Sequence, residues 1–162
     1  MKNILLLYLK YNLWANNIIA DLISQKALNL LDKEIPNSFP TLRKTLLHIW
    51  DAENIWLTRL NDLPITDWPS RDVSKHSEVL SNFIKQSEDF IAFVETKDEA
   101  WLNTNCTYTN IKGENFSQPV FTIIMHCMNH STYHRGQIIC MLRQFGLENL
   151  PSTDLITYSR RA

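Results

Sequence analysis

"PVFTIIMHCMNHSTYHRGQIICMLRQFG", residues 119–146, opens on a proline and closes on a glycine. Proline suits the first turn of a helix, where its missing N–H costs nothing, and glycine after Arg143 suits a left-handed C-terminal cap. Between them Ile124, Cys127, Ser131, Ile138, Leu142 and Phe145 share one arc at about 100° per residue, and Thr122, Asn129, Tyr133, Gly136 and Arg143 share the opposite one. The stretch is predicted to be one long amphipathic helix. It needs partners for its apolar side.

Three other stretches repeat the pattern. About Asn3 to Gln25 carries Leu6, Leu9, Leu13, Ile18 and Leu22; near Pro40 to about Leu60 carries Leu42, Leu46, Ile49, Trp56 and Leu60; about Ser74 to Glu95 carries Leu80, Phe83, Ile84, Phe90, Ile91 and Val94. Only three glycines interrupt the chain. "TNCTYTNIKGENFSQ", residues 104–118, is polar and β-branched with Gly113 at its turn, and is predicted to be a hairpin. "NDLPITDWPSRD", residues 61–72, holds Pro64 and Pro69 and reads as an aperiodic connection. Residues 1–162 thus read as a single all-α domain, a four-helix bundle with a small hairpin before the last long helix.

At 162 residues and 44% hydrophobic, the chain can bury a core without a metal or disulfide to staple it. Sixteen Lys and Arg against seventeen Asp and Glu, with no basic block, argue against nucleic acid as partner. Cys106, Cys127 and Cys140 are odd in number and lack CxxC spacing, so they read as free thiols in a reducing compartment. The apolar run Ile4 to Leu9 is too short for a secretory signal, and no run has the length of a membrane span. A cytoplasmic protein that does not bind membranes is expected.

The fourth helix carries His126, His130 and His134 at four-residue steps. Each step rises about 6 Å, so adjacent members can share an ion, whereas His126 and His134, about 12 Å apart along the axis, do not reach one. Projection puts His134 nearest the apolar arc, His130 at its flank and His126 furthest round, which favours the pair His130 and His134. Two imidazoles need a third ligand from another helix, and His48, at the flank of the second stripe, is the candidate. His126 reads as lying beside the site or in solvent, and His76 as facing water. The pattern is neither the HExxH of a zinc protease nor the Glu-x-x-His of a di-iron bundle.

Glu53 and Arg135 project toward the apolar sides of their helices and read as an inward pair that supports the fold; Arg135 binding an anionic substrate group is the alternative. Asp51 reads as a solvated helix residue more than as a base. Gln137 either orients a ligand or faces solvent. Gly136 reads as a site of close backbone approach, and Cys127 as a packed thiol.

"LLHIWDAENIWLTRL", residues 46–60, and "HCMNHSTYHRGQI", residues 126–138, together resemble the DinB/YfiT-like family of metal-dependent enzymes, related to bacillithiol and mycothiol S-transferases. "YNLWANNIIADLI" near the N-terminus and the final "LPSTDLITYSRR" extend the resemblance over the whole chain. It implies a bundle of up-up-down-down type, often a homodimer, with zinc or nickel held by one histidine of the second helix and two of the fourth. Those positions are His48, His130 and His134. The expected function is a metal-dependent enzyme acting on a small molecule, by transfer of a low-molecular-weight thiol to an electrophile or by hydrolysis. The competing reading is a non-catalytic dimeric bundle that binds a structural ion or a small molecule.

Overall fold

The computed structural model describes residues 1–65, 70, 73, 75–110 and 112–161. The elements run α1 (Lys2–Lys26), a short 3-10 turn (Leu28–Leu30), α2 (Leu42–Leu60), α3 (His76–Glu95), a four-residue α4 (Glu99–Leu102), β1 (Asn105–Thr109), β2 (Asn115–Pro119), α5 (Val120–Gln144) and α6 (Leu155–Ser159). Four long helices and one hairpin therefore stand where the sequence put them. Pro69 and Ser74, named above, lie outside the described residues.

The helix ends follow local chemistry. Thr41 caps α2 by accepting the Lys44 N–H at 3.1 Å. Gly146, at φ +90°, ends α5, its N–H reaching the Arg143 carbonyl while the Leu147 N–H reaches back to Leu142. β1 and β2 pair antiparallel with Cys106 opposite Gln118, and the turn is built on Asn110, whose Oδ1 accepts the Lys112 and Glu114 N–H groups beside Gly113 at φ +82°.

The direction of the helices differs from up-up-down-down. One apolar cluster joins Ile19 and Ile23 of α1, Leu42 and Leu46 of α2, Val79 and Phe83 of α3, and Ile138 and Leu142 of α5. A second joins Leu5 and Leu9, Leu60, Phe90 and Val94, and Ile123 and Ile124. The C-terminal half of α1 thus meets the N-terminal halves of α2 and α3 and the C-terminal half of α5. The order is up-down-down-up: α1 and α5 run one way, α2 and α3 the other. Each of α1 and α2 packs on both α3 and α5, so α1 and α2 are diagonal. Parallel α2 and α3 require a connection that returns along the bundle. Residues 61–75 span it easily, because α2 is only about 28 Å long and extended chain covers about 3.3 Å per residue. The returning chain is tied at Ser70, whose N–H and Oγ–H both donate to Asp51, at 3.2 and 2.6 Å. Asp51 is therefore buried, not solvated.

The buried arc of α1 is also turned from the expected one. Leu5, Leu9, Asn12, Ala15, Asn16, Ile19 and Ile23 face inward, and Leu6, Leu13, Ile18 and Leu22 sit at the flank. Two asparagines within that arc place a polar layer between the two apolar clusters, at mid-height of the bundle. The histidines lie at the same height.

Candidate metal centre

On α5, His134 is buried, His130 half-buried and His126 exposed, the order given by helical projection. α2 runs antiparallel to α5 and brings His48 across to them. His48 Nε2 and His134 Nε2 each lie 3.0 Å from His130 Nε2, and the donor atoms of the three side chains all fall within 4.8 Å of one another. His126 stays out of this group. Its ring lies 5.9 Å from that of His130 and packs edge-on against Trp56 at 5.5 Å. His76 is partly exposed on α3 and bonds Asp32 at 2.9 Å, far from the group in the chain and tied to the loop before α2.

The second nitrogen of His134 fixes its protonation. Nδ1 donates to Gln137 Oε1 at 2.7 Å, since an amide oxygen only accepts, so Nε2 carries a bare lone pair aimed at His130. Gln137 in turn donates to Tyr133 Oη at 3.4 Å. Of the two readings of Gln137, orientation is the one the geometry carries. Phe39, just before α2, stacks on His48 at 4.2 Å and stands edge-on to His134 at 5.6 Å. It walls the site from the loop side. No periodic pattern marks it, because Phe39 sits in an aperiodic segment.

The rings are held neutral. Burial, with the His134 ring adding to it, pushes His48 down to about 4, and burial followed by its three histidine neighbours pushes His130 down to about 3. Burial lowers His134 too, against the opposing bond from Gln137. Three neutral imidazoles cannot satisfy both 3.0 Å contacts at once, because His134 Nε2 is bare and His130 Nε2 either donates to it or accepts from His48, not both. A cation resolves the crowding. A first-row ion about 2.0–2.1 Å from each nitrogen needs donors roughly 3 Å apart or slightly more, and the donor set fits one.

The inward pair behaves differently from expectation. Glu53 and Arg135 are each 1% exposed, but no direct ion pair joins them among the described residues. Asn12 stands between: its Nδ2 donates to Glu53 Oε1 at 2.8 Å while its Oδ1 accepts from Arg135 Nη1. Glu53 also accepts from Ser87 at 2.8 Å and Ser131 at 3.0 Å, and Arg135 donates to Asn16 at 2.9 Å and Thr132 at 2.8 Å. Helical projection found the two charges and missed the bridge, because Asn on a helix reads as a surface residue. The signal was present: Leu5, Leu9, Asn12, Asn16, Ile19 and Ile23 continue one i, i+4, i+7 series.

Two other expectations resolve. A Cβ on Gly136 would meet nothing within 4 Å, so no backbone lies against it. The residue faces open solvent beside Gln137. Cys127 is buried in the second apolar cluster, and burial pushes its thiol well above the ordinary range, as suits a packed side chain.

Comparison with known proteins agrees with this architecture. Protein DinB of Bacillus subtilis (strain 168) is 26% identical over 151 residues, covering 88% of this chain and 87% of that protein. The crystal structure of a DinB-like protein from Bacillus cereus ATCC 10987 superposes with a TM-score of 0.68 at 20% identity, covering 90% of this chain and 94% of the other. YfiT from Bacillus subtilis, described as a probable metal-dependent hydrolase with an unusual four-helix bundle topology, superposes with a TM-score of 0.61 at 11% identity and 87% coverage of both chains. A family model described as the DinB family matches residues 1–161, and the chain belongs to that family.

Proposed function

We propose that this chain is a metal-dependent enzyme in which His48, His130 and His134 hold one divalent ion, zinc or nickel, and in which a small electrophilic molecule is attacked by a thiol or by water. The observation that carries this reading is the convergence of three Nε2 atoms at 3.0 Å steps, with the His134 tautomer set by Gln137. An ion held only by neutral imidazoles keeps its full charge and supplies a lowered pKa to a thiol or water bound there. The chain's own part is positional. Gln137 keeps Nδ1 of His134 protonated, Phe39 packs two of the rings, and the half-burial of His48 and His130 leaves the cluster at the rim of the α2/α5 seam.

A small molecule is the partner this site suits. Free Cys106, Cys127 and Cys140 support a reducing compartment such as the cytoplasm, and no described helix is long and apolar enough to cross a membrane. Ile4 and Leu7 of α1, with Leu155 and Ile156 of α6, are exposed apolar side chains that support a homodimer.

The test is turnover. Metal-loaded protein is assayed with cysteine, glutathione, coenzyme A and bacillithiol against a chloronitroaromatic, and without thiol against an activated ester. Activity that chelation abolishes and added metal restores is the expected result, and the panel that responds names S-transfer or hydrolysis. A bound ion that neither exchanges ligands with added thiol nor supports turnover on either panel would make the site structural, the role of a non-catalytic bundle.

A further inference from the structure

We propose that Arg59 is the anion-binding residue of this site, holding the carboxylate or other oxyanion end of an elongated small molecule whose reactive end lies at the three histidines. The inference rests on the metal-enzyme reading above and adds a substrate class to it. His48, Trp56 and Arg59 follow one another on the same side of α2, as His134, His130 and His126 do on α5. Contacts run along this seam without a gap. The His130 ring meets His126 at 5.9 Å, His126 meets Trp56 at 5.5 Å, and the Arg59 guanidinium lies 4.5 Å over Trp56.

The guanidinium is held but not satisfied. Trp56 and Tyr108 of the hairpin stand edge-on to each other at 4.9 Å, and the guanidinium rests in the corner between them, 4.5 Å from each ring, with its far side uncovered by either. Of its five N–H donors, one makes a long 3.4 Å bond to the Thr109 carbonyl, and the buried Nε has no partner. A residue that only pinned the hairpin to α2 would place its fork on strand carbonyls. Two cavities, of about 240 and 340 Å³, adjoin Arg59 along β1, one toward Thr109 and the other toward Asn105, and both are bounded by Thr107. Asp62 also borders both, yet it is exposed and makes no ion pair with Arg59 among the described residues, so it does not fill the fork. Burial lowers the Arg59 pKa, consistent with a cation short of counter-charge.

A flat guanidinium held in the corner of two rings keeps donors free for a planar or tetrahedral oxyanion. The distance limits the ligand. His48 and Trp56 are eight residues apart, about 12 Å along the helix, and the guanidinium lies over Trp56. The molecule is therefore about 10–12 Å long, with its nucleophilic or electrophilic atom at one end and its anion at the other.

Cobalt-loaded protein gives the test, because a thiolate on cobalt(II) is seen directly by its charge-transfer band. Mercaptooctanoate, mercaptooctanol and an octanethiol ending in phosphonate are titrated, with mercaptopropionate and mercaptopropanol as a pair too short to reach Arg59. The long anionic thiols should bind about tenfold or more tighter than the long alcohol, with no such preference in the short pair. Arg59→Gln should abolish the preference and leave the thiolate band unchanged; Arg59→Lys should restore part of it. Which of carboxylate and phosphonate binds better names the oxyanion. Equal binding of the long acid and alcohol to the unsubstituted protein, or a preference that survives in folded Arg59→Gln, would overturn the proposal. The unsubstituted protein decides even if the variants fail to fold. Absence of any thiolate band on bound cobalt would overturn thiol chemistry at this ion and this inference with it, and absence of bound cobalt the metal-enzyme reading as well, whereas a band with no end-group preference would sink Arg59 alone.

Discussion

Asn12 serves two buried charges at once, accepting from Arg135 and donating to Glu53. Asn12→Ala leaves both short of a partner and is expected to cost about 2–5 kcal/mol in urea unfolding, although the side chain itself is uncharged. A change below about 0.5 kcal/mol would mean that the bridge contributes nothing. Glu53 adds a pH signature. Burial raises its carboxyl above the ordinary value of 4.5 against bonds from Ser87, Asn12 and Ser131 and the charge of Arg135. A raised folded pKa contributes stability that is complete below about 4.5 and lost as pH rises through the folded value. Glu53→Gln removes that loss, so the stability of the variant relative to the unsubstituted protein should improve with pH above about 4.5; parallel pH profiles would contradict the assignment. At the centre itself, Gln137→Ala frees the His134 tautomer and is expected to weaken metal affinity about 10–100-fold in a chelator competition. The histidines were legible because a four-residue repeat and helical projection suffice to rank their burial. Asn12 and Phe39 were not, since each depends on what another element places against it.

At the scale of the element, α5 carries a glycine that its structure does not require. Gly136 is helical, exposed and faces no atom within 4 Å of a built Cβ. Gly136→Ala should therefore stabilise the protein by about 1 kcal/mol, read as a raised thermal midpoint. Destabilisation would show that something approaches this face after all. The sequence marked the glycine as unusual and supplied the wrong cause, because a helix period reports one helix and not its neighbours. The same limit explains the directions of the helices. Hydrophobic periodicity located all four, yet up-down-down-up order is set by whether the 61–75 connection returns along the bundle, and nothing periodic is written there. Asp51 holds that connection through Ser70.

For the whole molecule, the two apolar clusters lie at opposite ends of the bundle, with the polar layer and the histidines between them. Each fully buried leucine or isoleucine contributes about 1.5–3 kcal/mol, and more than a dozen such side chains do not depend on an ion. The chelated protein should keep its helical circular dichroism and a cooperative melt. Its acid limit should follow the histidines. Their folded pKa values are depressed, to about 4 for His48 and about 3 for His130, so the stability they contribute is present above about 6.5 and lost as pH falls through those values.

On the proposed reading His48, His130 and His134, and not His126 in the same seam, hold one ion. Elemental analysis of untagged protein and of His48→Ala, His126→Ala, His130→Ala and His134→Ala, each loaded with zinc and passed through a desalting column, decides between them. Near one ion per chain is expected for the unsubstituted protein and for His126→Ala, and near zero for the other three. A metal-free unsubstituted protein, or loss in His126→Ala equal to the rest, would contradict it.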